Sequence, residues 1–364
     1  MRIRAAITEN QGGPFVIRDV DLEAPRPHEV LVRITAAGLC HTDLRVQAAW
    51  PEQLMPMVFG HEGAGVIEAT GPDVTGLAPG DHVCLTFNSC GTCEQCTADQ
   101  PAYCHLMRPL NLSGGRHDGT TPLSLDGAPV RGGFFGQSSF ATYAIAHQRN
   151  AIRIPADLPA VVAAPLGCGV QTGAGTVLNR LRPEPGRSLV VIGAGGVGLS
   201  ALLAALAVNC DPVIAIDPVA SRRALAIELG AKAALDPASD DDLVTAILDL
   251  TSGGAHHIVD TTGLPEMLTQ AVGALRPRGD LALLGTGTEV TFNIMNLIGK
   301  GIRVHGVIEG DSDPGRLIPQ LVDLHQRGHF PVDRLITTFP FENIGDAVSG
   351  MQDGTAVKPV LTFD

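Results

Sequence analysis

Lysine is nearly missing from this chain: Lys232, Lys300 and Lys358 are the only three in 364 residues, set against many arginines. We read that bias as genomic in origin. Basic residues form no cluster, and the net charge is −13, which argues against nucleic acid and anionic membrane surfaces as partners. Although 45% of residues are hydrophobic, no apolar run is long enough to cross a bilayer. Met1-Arg2-Ile3-Arg4 leads into strand-like sequence and not into the apolar segment of a signal peptide. The expectation is a cytoplasmic, enzyme-sized protein with room for two domains. Without a secretion signal, the eight cysteines are not expected to form a disulfide framework. Internal repeats and low-complexity stretches are also absent.

What is present begins with Cys40-His41-Thr42-Asp43, followed about twenty residues on by Gly60-His61-Glu62. Cys40 and His61 are a thiolate and an imidazole, ligand types that zinc favours, with too few neighbours to close its coordination shell. Taken alone, the pair reads equally well as a buried cysteine and a core histidine. A second cluster, Cys90-Gly91-Thr92-Cys93-Glu94-Gln95-Cys96 with Cys104, supplies four thiolates, enough to enclose one tetrahedral zinc and leave no position for substrate. An iron–sulfur cluster is the rival reading.

Residues 1 to about 165 alternate apolar and polar positions between turn signals, as in Val30–Ile34 and Gly65–Ala69, and helical periodicity is almost absent there. A mainly antiparallel β domain is predicted, with a polar, glycine-rich excursion over 105–133 and a return to strand over Phe134–Tyr143. From about 166 the pattern changes. Leu189–Ile192 is wholly apolar, as a strand covered on both faces should be. It runs into Gly193-Ala194-Gly195-Gly196-Val197-Gly198, an apolar helix, and then Val213–Asp217. The glycine pattern alone is weak evidence, but in this strand–turn–helix setting it predicts a dinucleotide-binding turn, with pyrophosphate resting on the helix N-terminus. Asp217 is placed to accept hydrogen bonds from the adenosine ribose, favouring NAD over NADP. Arg222 and Arg223 complicate that preference, because an arginine there accommodates a 2′-phosphate; both also read as exposed helix residues. Further helices near 221–229, 240–251 and 265–275 alternate with strands at 257–260 and 281–284, a doubly wound parallel sheet. A helix near 315–327 and a strand at 360–363 follow. The predicted domains are 1–165, with a zinc lobe at about 88–106; 166–305, which binds the nucleotide; and 306–364, which rejoins the first.

These motifs together resemble the zinc-dependent medium-chain alcohol dehydrogenases over essentially the whole length. Phe135-Gly136-Gln137-Ser138-Ser139-Phe140 and Phe339-Pro340-Phe341 make the chain most similar to the aryl (benzyl) alcohol dehydrogenase branch. The resemblance implies a GroES-like β domain joined to a Rossmann domain, with the active site in the cleft between them, two zinc ions per chain, NAD(H), and a homodimer or homotetramer. It also implies that Cys168 joins Cys40 and His61 as the third ligand of the catalytic zinc, while Cys84 and Cys210 read as ordinary buried thiols. Asp43 would orient His61, Glu62 would approach the metal when substrate leaves, and Thr172 would pack on the nicotinamide. Thr42 would accept the alcohol proton. Several alcohol dehydrogenases of that family end the proton relay with a histidine at the position of Arg45, and arginine cannot shuttle protons. His41, or ribose and water alone, is therefore expected to finish the relay, and His41 also fits a cofactor-phosphate contact. The implied reaction is reversible hydride transfer from a primary, aromatic or otherwise apolar alcohol to NAD, giving the aldehyde. Two alternatives stay open: a formaldehyde- or thiol-adduct dehydrogenase on the same fold, and a non-catalytic zinc and nucleotide-binding protein.

Overall fold

The computed structural model describes residues 1–238, 242–287 and 289–363, and it divides into two compact units. The first comprises Met1–Cys168, Asp313–Val322 and Asp333–Asp364; the second comprises Gly169–Ser312 and Asp323–Val332. The first unit therefore runs three residues past the expected boundary and includes Cys168.

The first unit is built on two mainly antiparallel sheets among the described residues, of five and seven strands. Glu29–Gly38 is central to the larger sheet, pairing with Glu62–Thr70, with Tyr143–His147 and with the chain's last strand, Lys358–Thr362. One aliphatic and aromatic core serves this unit, including Ile7, Ile34, Phe59, Leu85, Phe134 and Phe140.

Three expectations for this unit need correction. The stretch after Cys40 is a helix, His41–Ala49. It escapes periodicity arguments because its buried residues, Asp43 and Gln47, are both polar. Residues 134–140 form no strand: Phe134–Gly136 is a single 3-10 turn, and the strand starts at Tyr143. The 105–133 excursion is not merely loop. It holds a short helix, Met107–Asn111, and two strands, Leu123–Leu125 and Ala128–Val130, that extend the five-stranded sheet. Arg116 ties it down through Glu29 at 2.7 Å and Glu23 at 2.7 Å.

The second unit carries a six-stranded parallel sheet. In chain order its strands are Leu189–Ile192, Val213–Ile216, Ala233–Leu235, Ala255–Asp260, Leu275–Leu283 and Arg303–Gly306, arranged spatially 3-2-1-4-5-6. That order places a topological switch beside the first strand, where such sheets bind dinucleotides. Helices Gly196–Ala207, Ala220–Leu229 and Pro265–Ala274 fall where the alternation predicts. The helix expected near 240–251 is Leu243–Leu250, and residues 240 and 241 lie outside the described residues. No single helix among the described residues is long and apolar enough to cross a membrane.

Candidate active site

Cys40 caps the helix His41–Ala49, and Asp43, in the first turn, reaches back so that its Oδ2 accepts the Cys40 amide at 2.9 Å. The other carboxylate oxygen accepts from His61 Nδ1 at 2.7 Å and from the Gly60 amide at 3.2 Å. One fully buried carboxylate thus fixes the backbone of one candidate ligand and the ring of another, turning His61 Nε2 toward Cys168 Sγ, 3.2 Å away. Cys168 gets there because Gly167 lies against the strand His82–Leu85. A β-carbon on Gly167 would sit 2.0 Å from the Leu85 carbonyl, and the Thr86 hydroxyl donates to the Gly167 carbonyl at 2.7 Å. Cys40, His61, Glu62 and Cys168 offer ligand atoms within 4.8 Å of one another, all from the first unit.

Charge follows from this packing. A hydrogen bond from Cys168 holds the Cys40 thiol well below the ordinary cysteine range against the opposing effect of burial. Burial would push His61 down, but the Asp43 carboxylate raises it well above the usual value. The non-ligand thiols move the other way, since burial pushes Cys84 up and Cys210 up to about 11. A thiolate, an imidazole held by a carboxylate and a second thiol suit a zinc ion with one position left for another ligand.

Sequence reasoning missed the groups that complete this site. Lys358 is 4% exposed, and its ammonium bonds both oxygens of buried Glu62, at 2.7 and 2.6 Å, and the Leu39 carbonyl at 3.2 Å. Glu62 fits only because position 38 is glycine, where a β-carbon would fall 2.0 Å from Glu62 Oε2. Gln137 bridges the His61 carbonyl at 2.9 Å and the Gly63 amide at 3.0 Å. Phe135 stacks on the His61 ring with centroids 4.6 Å apart, from a backbone at φ +50°. The scarcity of lysine was the only available signal for Lys358. Thr42 is half-buried beside Cys40, whereas His41 and Arg45 are exposed. Phe140, at the end of the motif that carries the resemblance, is fully buried in the core against Phe15.

The four clustered cysteines come together as the spacing predicts. Sγ–Sγ separations are 3.9 Å for Cys90–Cys96, 3.6 Å for Cys93–Cys96 and 3.9 Å for Cys93–Cys104. Zinc–sulfur bonds of about 2.3 Å in a tetrahedron give an edge of about 3.8 Å, so the donor set fits. Amides of Cys93 and Leu106 point at Cys90 and Cys104 Sγ, both at 3.3 Å. None of the eight cysteines is disulfide-bonded.

In the second unit, Gly193 turns at φ +90° and Gly195 caps the helix Gly196–Ala207. A β-carbon on Gly198 would lie 1.8 Å from the Gly193 carbonyl, so helix and turn meet too closely for any other residue. One on Gly195 would meet nothing within 4 Å, leaving the outer face of the turn open for a diphosphate. Asp217 is 3% exposed and accepts the Ala194 amide at 2.8 Å, tying the ends of two neighbouring strands together. Arg222 and Arg223 are both partly buried against it: Arg222 lies 3.8 Å from the carboxylate, and Arg223 donates to the Asp217 carbonyl at 2.8 Å. Thr172, on helix Gly169–Gly175, lies 3.5 Å from Glu309, which also accepts from Gln171.

Residues 26–156 match the alcohol dehydrogenase GroES-like domain, and residues 196–326 match the zinc-binding dehydrogenase domain. A geraniol dehydrogenase of Castellaniella defragrans is 47% identical across 99% of this chain and 97% of its own. The chain belongs to the zinc-binding alcohol dehydrogenase family. Among solved structures, a benzyl alcohol dehydrogenase from Acinetobacter calcoaceticus superposes with a TM-score of 0.96 at 41% identity, covering all of both chains. An alcohol dehydrogenase zinc-binding domain protein from Burkholderia ambifaria gives 0.97 at 44%, covering 100% of this chain and 99% of that one. GroES-like and Rossmann-type domains are therefore the two halves of the family architecture here, and zinc dependence is a property of the family.

Proposed function

We propose that the chain oxidises primary alcohols bearing an aryl or allylic group to aldehydes, reversibly and with NAD. The observation that carries this reading is the buried Cys40, His61 and Cys168 donor set with Asp43 behind it; similarity to proteins described as geraniol and benzyl alcohol dehydrogenases supports the substrate class. When bound, zinc polarises a substrate hydroxyl and lowers its pKa, and NAD accepts the hydride. Cys40, His61 and Cys168 hold the metal, and Asp43 fixes the ring and tautomer of His61. Glu62, clamped by Lys358, is the spare carboxylate beside them. Thr42 accepts the proton of the substrate hydroxyl, and His41 passes it on or binds a cofactor phosphate. Gly193, Gly195, Gly196, Val197 and Gly198 cradle the diphosphate. Asp217 takes the ribose hydroxyls, and its carboxylate beside Arg222 disfavours a 2′-phosphate. Thr172 packs on the nicotinamide. Cys90, Cys93, Cys96 and Cys104 hold a second zinc that folds their lobe, and their need for reduced thiols fits a cytoplasmic setting.

The test is NADH absorbance with benzyl alcohol, geraniol, ethanol, and formaldehyde plus glutathione, alongside zinc analysis. Turnover favouring the first two, with two zinc per chain, is the expected result. Turnover only with the formaldehyde adduct would reassign the substrate, and none at all would leave a binding protein.

We further propose that two copies pair through the second unit. Among the described residues, strand Arg303–Gly306 is at the edge of the six-stranded sheet, where another chain can add a strand, and it lies in a region that exposes Val304, Ile294, Met295 and Ile298, the last three about two-thirds exposed. Light scattering should give a dimer or tetramer that Val304→Asp with Met295→Glu reduces to monomers; an unchanged mass removes this interface.

A further inference from the structure

At the end of the parallel sheet opposite the glycine turn, strand Leu275–Leu283 breaks register with Ala255–Asp260. Ala255 pairs with Leu275 and His257 with Asp280, so the single residue His256 faces the four-residue excursion Arg276-Pro277-Arg278-Gly279. A bulge of this kind re-aims side chains and bends the strand that carries it. It borders a cavity of about 420 Å³ lined by Arg182, Arg187, Arg276, Arg278, Arg303 and His256, a volume in the range of small-molecule sites.

Three features of the cavity point to an anion. The first is charge. In a chain of net charge −13, five guanidiniums gather here with only two carboxylates, and both acids are engaged. Glu184 pairs with Arg187 at 2.6 Å, and Asp280 pairs with Arg303 at 2.6 Å and His305 at 2.8 Å. Among the described residues, no carboxylate lies within ion-pair distance of Arg182, Arg276 or Arg278. The second is the crowding of two cations onto one ring. His256 Nδ1 meets the Ser188 amide at 3.1 Å and the Ser188 hydroxyl at 2.8 Å, while Nε2 meets Arg187 Nη1 at 3.0 Å and also Arg276 Nη1. Burial and the two arginines hold the imidazole neutral, down to about 4, so the ring adds no charge of its own. The third is backbone strain. Arg182 at φ +45° and Arg278 at φ +64° both occupy the left-handed region, where glycine costs least. Strained residues of this kind concentrate at binding sites.

We propose that this cavity binds a small molecule carrying a multiply charged oxyanion, a phosphate ester or a polycarboxylate, in the guanidinium forks of Arg276 and Arg278, with Arg187 Nη1 and His256 beside them. Arginine forks suit both oxyanions because two parallel N–H groups match two oxygens. Nothing in the proposed oxidation uses these residues, so the site would be an additional one.

Titration calorimetry on the holoenzyme at constant ionic strength, with pyrophosphate and separately with citrate, tests the proposal. Each titration is run with and without saturating NADH, because the glycine turn could also take pyrophosphate. One site per chain should persist with NADH present and weaken at least tenfold in both Arg276→Gln and Arg278→Gly. Glycine accepts φ +64° without strain, so Arg278→Gly should not lower the melting temperature, which separates lost binding from lost folding. Binding of pyrophosphate alone identifies a phosphate ligand, and binding of citrate alone a polycarboxylate. No binding of either, binding unchanged in both variants, or complete displacement by NADH overturns the proposal.

Discussion

Replacing Asp43 tests how the proposed catalytic donor set is held. Its carboxylate receives three hydrogen bonds, from His61 Nδ1 at 2.7 Å, Cys40 N at 2.9 Å and Gly60 N at 3.2 Å, in a fully buried position. Asp43→Asn keeps one acceptor oxygen and turns an NH2 toward a donor on the other side. Asp43→Ala removes all three acceptors and leaves the His61 ring free to take its other tautomer. Loss of a carboxylate that orients a ligating histidine costs about 10–100-fold in metal affinity, or roughly 1.4–2.7 kcal/mol. The alanine variant should lie at or beyond the upper end, because each orphaned buried donor adds about 1–3 kcal/mol. The assay is chelator competition followed by zinc counting. Wild type should retain both ions under mild chelation, while the variants keep only the ion in the Cys90–Cys104 lobe, whose ligands Asp43 does not touch. Equal retention of both ions by Asp43→Ala would refute the idea that this carboxylate positions the site.

Removing the ammonium with Lys358→Met strands the buried Glu62 charge. Breaking one side of such a pair costs about 3–5 kcal/mol, less whatever Glu62 recovers by taking up a proton; a Glu62→Gln, Lys358→Met double variant should melt closer to wild type. In the nucleotide turn, Gly195→Ala should melt like wild type yet bind NADH at least tenfold more weakly, because its β-carbon enters open space. Gly198→Ala, 1.8 Å from a carbonyl, should lose stability itself; thermal melts and NADH fluorescence titrations separate the two. His147 is pushed down to about 4, chiefly by burial and then by the Arg149 charge. Its folded value lies below the unfolded value of about 6.5, so its contribution is complete above pH 6.5 and is lost as pH falls toward 4. Between pH 7.5 and 5, wild type should lose about 1–2 kcal/mol more than His147→Gln in denaturant melts, a figure already reduced for partial exposure.

How far the site could be read from the sequence depended on how local each part is. The Cys90–Cys104 lobe and the Gly193–Gly198 turn are spelled out within short stretches, and their geometry follows from spacing: sulfurs at tetrahedral separations, and a glycine whose β-carbon has no room. Four of the six parallel strands were legible for the same reason, as short and mostly apolar runs, whereas Ala233–Leu235 and Arg303–Gly306 carry no such run. The helix after Cys40 was not, because it buries Asp43 and Gln47 where periodicity looks for aliphatic residues. Its buried carboxylate serves the ligand set and its buried amide bonds the Gly13 carbonyl at 2.7 Å. Function has replaced the apolar stripe that would have announced the helix.

The hardest part to see was the pairing of Glu62 with Lys358, which are separated by 296 positions. It exists because the last strand of the chain, Lys358–Thr362, lies antiparallel to the end of Glu29–Gly38, and that end pairs on its other side with Glu62–Thr70. Gly38 sits opposite Glu62 in this register, and its missing side chain is the space the carboxylate occupies. The Glu62 carboxylate of the candidate metal cluster is thus held by sheet register, with its cation supplied from the C-terminal strand. Any change that slips that strand by one residue would turn Lys358 to the other face and take its ammonium away from Glu62. The C-terminal strand is therefore part of the proposed metal site as well as of the sheet.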